Sequence, residues 1–237
     1  MRTILKLLAV ICFMPVAALA AEDQFVVIAV TGQVQDLKAG QRIAPNAQVN
    51  LPVGASAKLL SASGQIVTLK GPHAGTVATQ PKGAAATDDQ VISRLAKFLG
   101  ERQVQSGALG VIRAGPPRTR EPTDPLMVVV GDRGQQCARG SNIQLWRRNA
   151  ELDASLEIRS ATAGTVRLAW PKGANAADLP RAFAVDRTTF EVSLDGLVSN
   201  VSLHLAPATA NNPATLADWM VGQKCDRQAA LFLSSLE

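Results

Sequence analysis

The stretch Ala57-Lys58-Leu59-Leu60-Ser61-Ala62-Ser63-Gly64-Gln65-Ile66-Val67-Thr68-Leu69-Lys70 decides the fold class. Two short, partly alternating apolar runs flank Ser63-Gly64. Glycine reaches positive φ without a steric cost, so the pair reads as the turn of a β-hairpin. The same pattern spreads to either side. Phe25–Val30 and Gln48–Pro52 are further short apolar runs, and Thr31-Gly32, Ala39-Gly40, Pro45-Asn46, Val53-Gly54 and Gly71-Pro72 supply turn chemistry between them. Strands this short and this closely spaced predict an all-β module.

The second half of the chain repeats the theme. Strands are predicted over Leu126–Val130, Asn142–Arg147, Ser155–Arg159, Thr165–Trp170, Ala182–Val185, Thr188–Leu194 and Leu197–Leu205. Gly131-Asp132 and Lys172-Gly173 are turn signals, and Asp195-Gly196 is a strong hairpin signal. Seven strands in so short a span predict a sandwich of immunoglobulin-like architecture. Ser202 and His204 fall on the polar face of the last strand. Trp146, beside Arg147, and Trp170, on a face with Val166 and Leu168, read as core anchors before they read as ligand platforms.

Helices lie between and after these blocks. Thr87-Asp88-Asp89-Gln90 has the form of a capping box, with Thr87 as N-cap. Val91, Ile92, Leu95, Phe98 and Leu99 then recur on one face, predicted to pack on the β-core, and Gly100 is the expected stop. The segment from Ala114 to Pro125 carries Pro116, Pro117, Pro122 and Pro125 and reads as a semi-rigid connector. Arg113, Arg118 and Arg120 cluster there, but Glu121 and Asp124 follow, as in a solvated linker. At the end, Asn212 and Pro213 open one helix with Leu216, Trp219 and Met220 on a face and Gly222 as its stop. Asp226 is the expected cap of a second, whose Ala229, Leu233 and Leu236 share a face.

The expected architecture is therefore mainly β. It comprises a signal peptide (1–20), a first β-domain (21–80), a helix and Pro-rich linker (81–125), and a β-sandwich-like domain with a helical tail (126–237). The signal rests on Arg2 and Lys6, the apolar run Leu7–Ala18, and Ala18-Leu19-Ala20 before the polar Ala21-Glu22-Asp23. That run falls short of the ~20 residues a span needs, so no stable membrane span is expected after cleavage. Cys12 lies inside the run and reads as one of its apolar residues. The expected location is periplasmic or secreted. Without Arg2 and Lys6 the formal charge falls from +5 to +3. So small and scattered an excess excludes a nucleic-acid footprint.

Val30-Thr31-Gly32-Gln33-Val34, Leu37-Lys38-Ala39-Gly40, the run from Val49 to Ala57 with Leu51-Pro52-Val53-Gly54, and Ser63-Gly64-Gln65-Ile66-Val67-Thr68-Leu69-Lys70-Gly71-Pro72 together resemble the FecR-like periplasmic β-domain. The resemblance covers about residues 25–80. Its best-known members are signal-transducing regulators of extracytoplasmic sigma factors. Here the block is expected to follow a short signal rather than a cytoplasmic segment and a full transmembrane helix. What the resemblance implies is thus the fold and a periplasmic interaction role rather than the signalling output.

Chemistry-bearing patterns are few. The mature chain keeps two cysteines, Cys137 and Cys225, and an even count in an oxidising compartment predicts one disulfide between them. It would close a loop of about 90 residues, worth roughly 4 kcal/mol in the chain-entropy model. The bond is expected to staple the tail to the second block, so that its loss frees residues 212–237 and leaves 25–78 folded. No C-x-x-C, G-x-S-x-G, H-E-x-x-H, Walker or G-x-G-x-x-G pattern is present. Ser56 and Lys58 share a strand face without the S-x-x-K spacing. His73 and His204 lie in different blocks and read as exposed histidines. Asp88-Asp89 and Asp132 lack calcium-loop spacing. No cofactor and no metal site is predicted. The reading that remains is a non-enzymatic, exported interaction module whose partner is an envelope protein or polysaccharide. The alternatives are an exported enzyme with a site assembled from distant residues, and a polysaccharide-binding module using Trp146 or Trp170.

Overall fold

The computed structural model describes residues 24–77, 89–108 (side chains up to 103) and 121–236. The signal segment, Thr87, Asp88 and the cluster Arg113, Arg118 and Arg120 lie outside the described residues. The first block contains β1 (Phe25–Thr31), β2 (Arg42–Ile43), β3 (Gln48–Leu51), β4 (Ser56–Ser61), β5 (Ile66–Lys70) and β6 (His73–Thr76). Four of them form an antiparallel sheet in the order β2-β1-β4-β5, while β3 pairs with β6. The β4–β5 hairpin turns where the sequence places it, with Gly64 at φ +85°.

The unbroken run Phe25-Val26-Val27-Ile28 is explained by cores on both faces of β1. Alternation sends Phe25 and Val27 toward β3 and β4, into a cluster with Ile43, Val49, Leu51, Ala57 and Leu59. Val26 and Ile28 go the other way, into a second cluster with Leu60 and the helices. A register shift between Val27 and Ala29 places a β-bulge at Ile28. Two-residue β2 and four-residue β6 carry no legible alternation, so only sheet pairing defines them.

Helix α1 (Asp89–Ala108) turns its predicted stripe inward: Val91, Ile92, Leu95 and Phe98 are buried beside β1 and β4. Gly100 does not stop it. Glycine inside a helix costs only about 1 kcal/mol relative to alanine, and the helix runs two turns further. A Cβ on Gly100 itself would meet nothing within 4 Å, and the close approach here constrains Gly40 instead. A Cβ on Gly40 would lie 2.6 Å from the Gly100 nitrogen and 2.8 Å from the Ala96 carbonyl oxygen. The turn at Ala39-Gly40 therefore rests directly on the α1 backbone.

The second block contains β7 (Val128–Val129), β8 (Gly134–Ala138), β9 (Gln144–Trp146), β10 (Ala154–Ser160), β11 (Gly164–Trp170), β12 (Ala176–Asp178), β13 (Thr188–Leu194) and β14 (Leu197–Leu205). A five-stranded sheet, β11-β10-β13-β14-β8, and a three-stranded sheet, β12-β9-β7, enclose one core containing Leu145, Leu156, Ile158, Trp170, Phe190, Val192, Val201 and Leu203. The Asp195-Gly196 turn has both residues at positive φ, and Leu194 pairs with Leu197 across it.

Three expectations fail here. Ala182–Val185 is no strand. Residues 181–183 form a 3-10 turn after Pro180, which drops Phe183 into the core edge-on to Phe190, centroids 5.9 Å apart. Strand β12 has no apolar signal. Strand β8, Gly-Gln-Gln-Cys-Ala, also lacks one and falls between the predicted strands Leu126–Val130 and Asn142–Arg147. It is a strand because β14 offers a parallel edge, pairing His204 with Cys137. Its Gln136 side chain is buried and acts as a backbone substitute: Oε1 accepts from the Val129 N–H (2.7 Å) and Nε2 donates to the Val129 carbonyl (2.9 Å).

The chain closes with α2 (Pro213–Gly222) and α3 (Asp226–Ser235). Asn212 caps α2 in a capping box with Thr215. Cys225, not Asp226, holds the cap position of α3, and Asp226 sits in its first turn. Between the helices, Cys225 N–H bonds the Met220 carbonyl and Lys224 N–H the Val221 carbonyl, a Schellman arrangement. Its left-handed position is filled by Lys224 at φ +61°. Lys224→Gly should raise stability by about 1 kcal/mol, read as a higher urea midpoint at unchanged slope.

The helical pair does not belong to the second block alone. Ala214, Leu216, Ala217, Met220, Ala229 and Leu233 share one apolar cluster with α1, Val26, Ile28 and Leu60, and the disulfide Cys137–Cys225 lies in the same cluster. Arg94 reinforces the arrangement with two 2.6 Å bonds to Asp218, tying α1 to α2. Among the described residues, no helix is long and apolar enough to cross a membrane.

Candidate functional site

Beside the disulfide, the Gln228 side chain holds three separate segments together. Its Oε1 accepts from the Cys137 N–H (2.7 Å), and its Nε2 donates to the carbonyls of Cys137 and Pro125 (2.8 Å each) and of Met127 (3.2 Å). An amide on α3 thus completes the hydrogen bonding of β8 and pins the segment entering the second block. On the outer side, Arg227 binds both oxygens of Glu121 at 2.7 Å and one oxygen of Asp132, whose other oxygen takes Arg148 at 2.7 Å. This network lines a polar depression of about 510 Å³ with Arg133, Lys224 and Asp226 at its rim. Its central charges are mutually satisfied, so the network reads as a clamp.

The other side of the same joint is different. A cleft of about 440 Å³ opens where residues 123–127, the β8–β9 connection and the two terminal helices meet. Buried Ile143 and Leu216 and half-buried Leu126 and Phe232 form apolar wall. Arg139, Asn142, Gln144 and Thr123 line it with exposed side chains, and none has a side-chain hydrogen bond or ion pair among the described residues. Asp124 also lines it, one oxygen accepting from the Leu126 N–H at 2.9 Å. A mixed apolar and polar concavity at the junction of chain segments, within the roughly 300–1,000 Å³ range of ligand sites, is the arrangement ligands use. Neither Arg139 nor Gln144 is singled out by the sequence. Only the packing of α2 and α3 beside them makes a wall.

Apart from Cys137 and Cys225, which form the disulfide, the described residues singled out in sequence are not brought together into one site. Trp170 is 1% exposed and Trp146 5%. The Arg147 guanidinium lies 5.1 Å over the Trp170 ring and donates to the carbonyls of Ala174 and Pro171. Neither indole offers a free face to a sugar, which corrects the tryptophan route to polysaccharide binding. Ser56 and Lys58 share a half-buried face of β4, and the Lys58 ammonium donates to the Leu236 carbonyl at 3.0 Å. His73 begins β6 half-buried, with Nε2 enclosed and unpartnered, rather than standing in an exposed turn. His204 is half-buried on β14, its Nε2 2.5 Å from Gln135 Oε1. Asp89 pairs with Arg42.

The outward face of the five-stranded sheet carries a ladder in which Glu157 lies between Arg167 (2.6 Å) and Arg159 (2.5 Å). The hydrogen bond from Arg167, joined by that from Arg159, holds the Glu157 carboxyl below its ordinary range against the opposing desolvation. Because the folded-state value is depressed, this stabilisation is present above the unfolded carboxylate pKa and is lost as pH falls through the folded value. Carbon-detected NMR titration should place Glu157 below the ordinary glutamate range, and Arg167→Ala should move it back up.

Comparison of the chain with family models, with curated proteins and with solved structures finds no match.

Proposed function

We propose that this chain is an exported, non-enzymatic interaction module of the cell envelope. In this reading the first block is a FecR-like β-domain, the second is sandwich-like, and the mature protein starts near Ala21. The observation that carries it is the seam cleft. It is built jointly by residues 123–127, the β8–β9 connection and the C-terminal helices, and the exposed side chains of Arg139, Asn142, Gln144 and Thr123 line it with no side-chain partner among the described residues. A disulfide and the Gln228 bonds fix those walls relative to one another, which lowers the ordering cost of binding. The disulfide suits an oxidising compartment.

Site-specific photo-cross-linking in intact cells tests the proposal. A benzophenone side chain at Asn142 should give a discrete adduct with an envelope component, and one at Arg167, on the outward sheet face, should not. No adduct from Asn142, or the same adducts from both positions, overturns it.

A further inference from the structure

We infer that the seam cleft takes an acidic saccharide, a pyranose unit bearing one carboxylate. This deepens the interaction reading above and rests on it. The argument starts from the donors. Arg139 has a planar fork of N–H groups and no carboxylate partner among the described residues, and such a fork holds a carboxylate through two parallel bonds. Asn142 and Gln144 each offer an amide that donates and accepts, and Thr123 adds a hydroxyl. Asp124 keeps one oxygen unengaged by the Leu126 N–H and accepts hydroxyl hydrogens. One cation beside one anion does not suit a multiply charged phosphate. Hydroxyls with a single carboxylate match the set group by group. Leu126 and the Phe232 ring, both half-buried, supply apolar surface for the C–H face of a sugar ring. An acyl chain would need apolar walls throughout, whereas here amides, a hydroxyl and charges line the cleft among them.

Two sources share this chemistry: a hexuronate polymer, and an amino sugar carrying a lactyl ether. Calorimetric titration of the mature, disulfide-bonded protein with trigalacturonate, with the N-acetylglucosamine–N-acetylmuramic acid disaccharide and with neutral maltotriose separates them. Saturable binding of either acidic probe, at least tenfold tighter than maltotriose, is expected, and the tighter probe names the source. Arg139→Gln should weaken it at least tenfold, as loss of a charge-assisted pair requires, while Arg167→Gln leaves it unchanged. Arg139 is exposed, and unchanged circular dichroism confirms that the variant folds. Absence of saturable binding to both acidic probes, equal affinity for maltotriose, or wild-type affinity in Arg139→Gln overturns the inference. A protein adduct from Asn142 without sugar binding overturns the saccharide class and leaves the interaction reading standing.

Discussion

Cys225→Ser is expected to lower the unfolding free energy by about 2–5 kcal/mol, the usual range for a native disulfide. The location of the loss matters as much as its size. Read from sequence, the bond staples a marginal tail to the second block, and its removal should free that tail alone. In the structure the tail is the lid of a shared core. Residues of α2 and α3 bury Val26, Ile28 and Leu60 together with α1. Loosening them strips one face of β1 and β4. Hydrogen exchange on the variant should therefore show faster exchange at α2, α3, β1 and β4, with β10 and β13 unaffected, because those strands belong to the other core. Loss of protection confined to residues 212–236 would show instead that the first block stands alone.

Leu95→Ala should cost about 2–4 kcal/mol, the range for deleting a fully buried leucine side chain. Leu95 is completely buried in the cluster that joins β1, β4, α1, α2 and α3. A cavity there removes contacts from several elements, so little local collapse is available to relieve it. The matched control is Leu152→Ala. Leu152 is 74% exposed, and its replacement should stay within about 0.5 kcal/mol. Urea unfolding of the two variants reads the difference directly. An unmoved midpoint for Leu95→Ala would mean that the α1 stripe faces a partner rather than the core.

Much of the local structure was legible. Ser63-Gly64 and Asp195-Gly196 mark hairpins because left-handed backbone at a two-residue turn favours glycine. Asn212-Pro213 marks a helix start because its first N–H groups need a side-chain acceptor and proline needs none. The stripe on α1 and the pairing of Cys137 with Cys225 followed from spacing and from counting. The failures share one cause. Strands β2, β6, β8 and β12 are short or polar and are strands only because another strand stands beside them. Gln136 and Gln228, ordinary polar residues in sequence, are buried as substitutes for missing backbone partners. Ala182–Val185 looked like a strand because apolar residues cluster there. Pro180 and the pocket beside Phe190 made it a turn.

The candidate site lies wholly in this second category. Sequence determined a mainly β chain, the linking and terminal helices, and which cysteines pair. It did not determine that the C-terminal helices pack on the first sheet. That contact depends on the apolar outer face of β1, which the sequence shows only as six apolar residues in a row, Phe25–Val30, with no side specified. The same packing sets Phe232 and Leu216 opposite Arg139, Asn142 and Gln144, residues separated by some 70 to 90 positions in the chain. Local propensity carries no information at that range. Burial of a two-faced strand does, because each face must find its own apolar cover, and only the tertiary structure decides which segment supplies it.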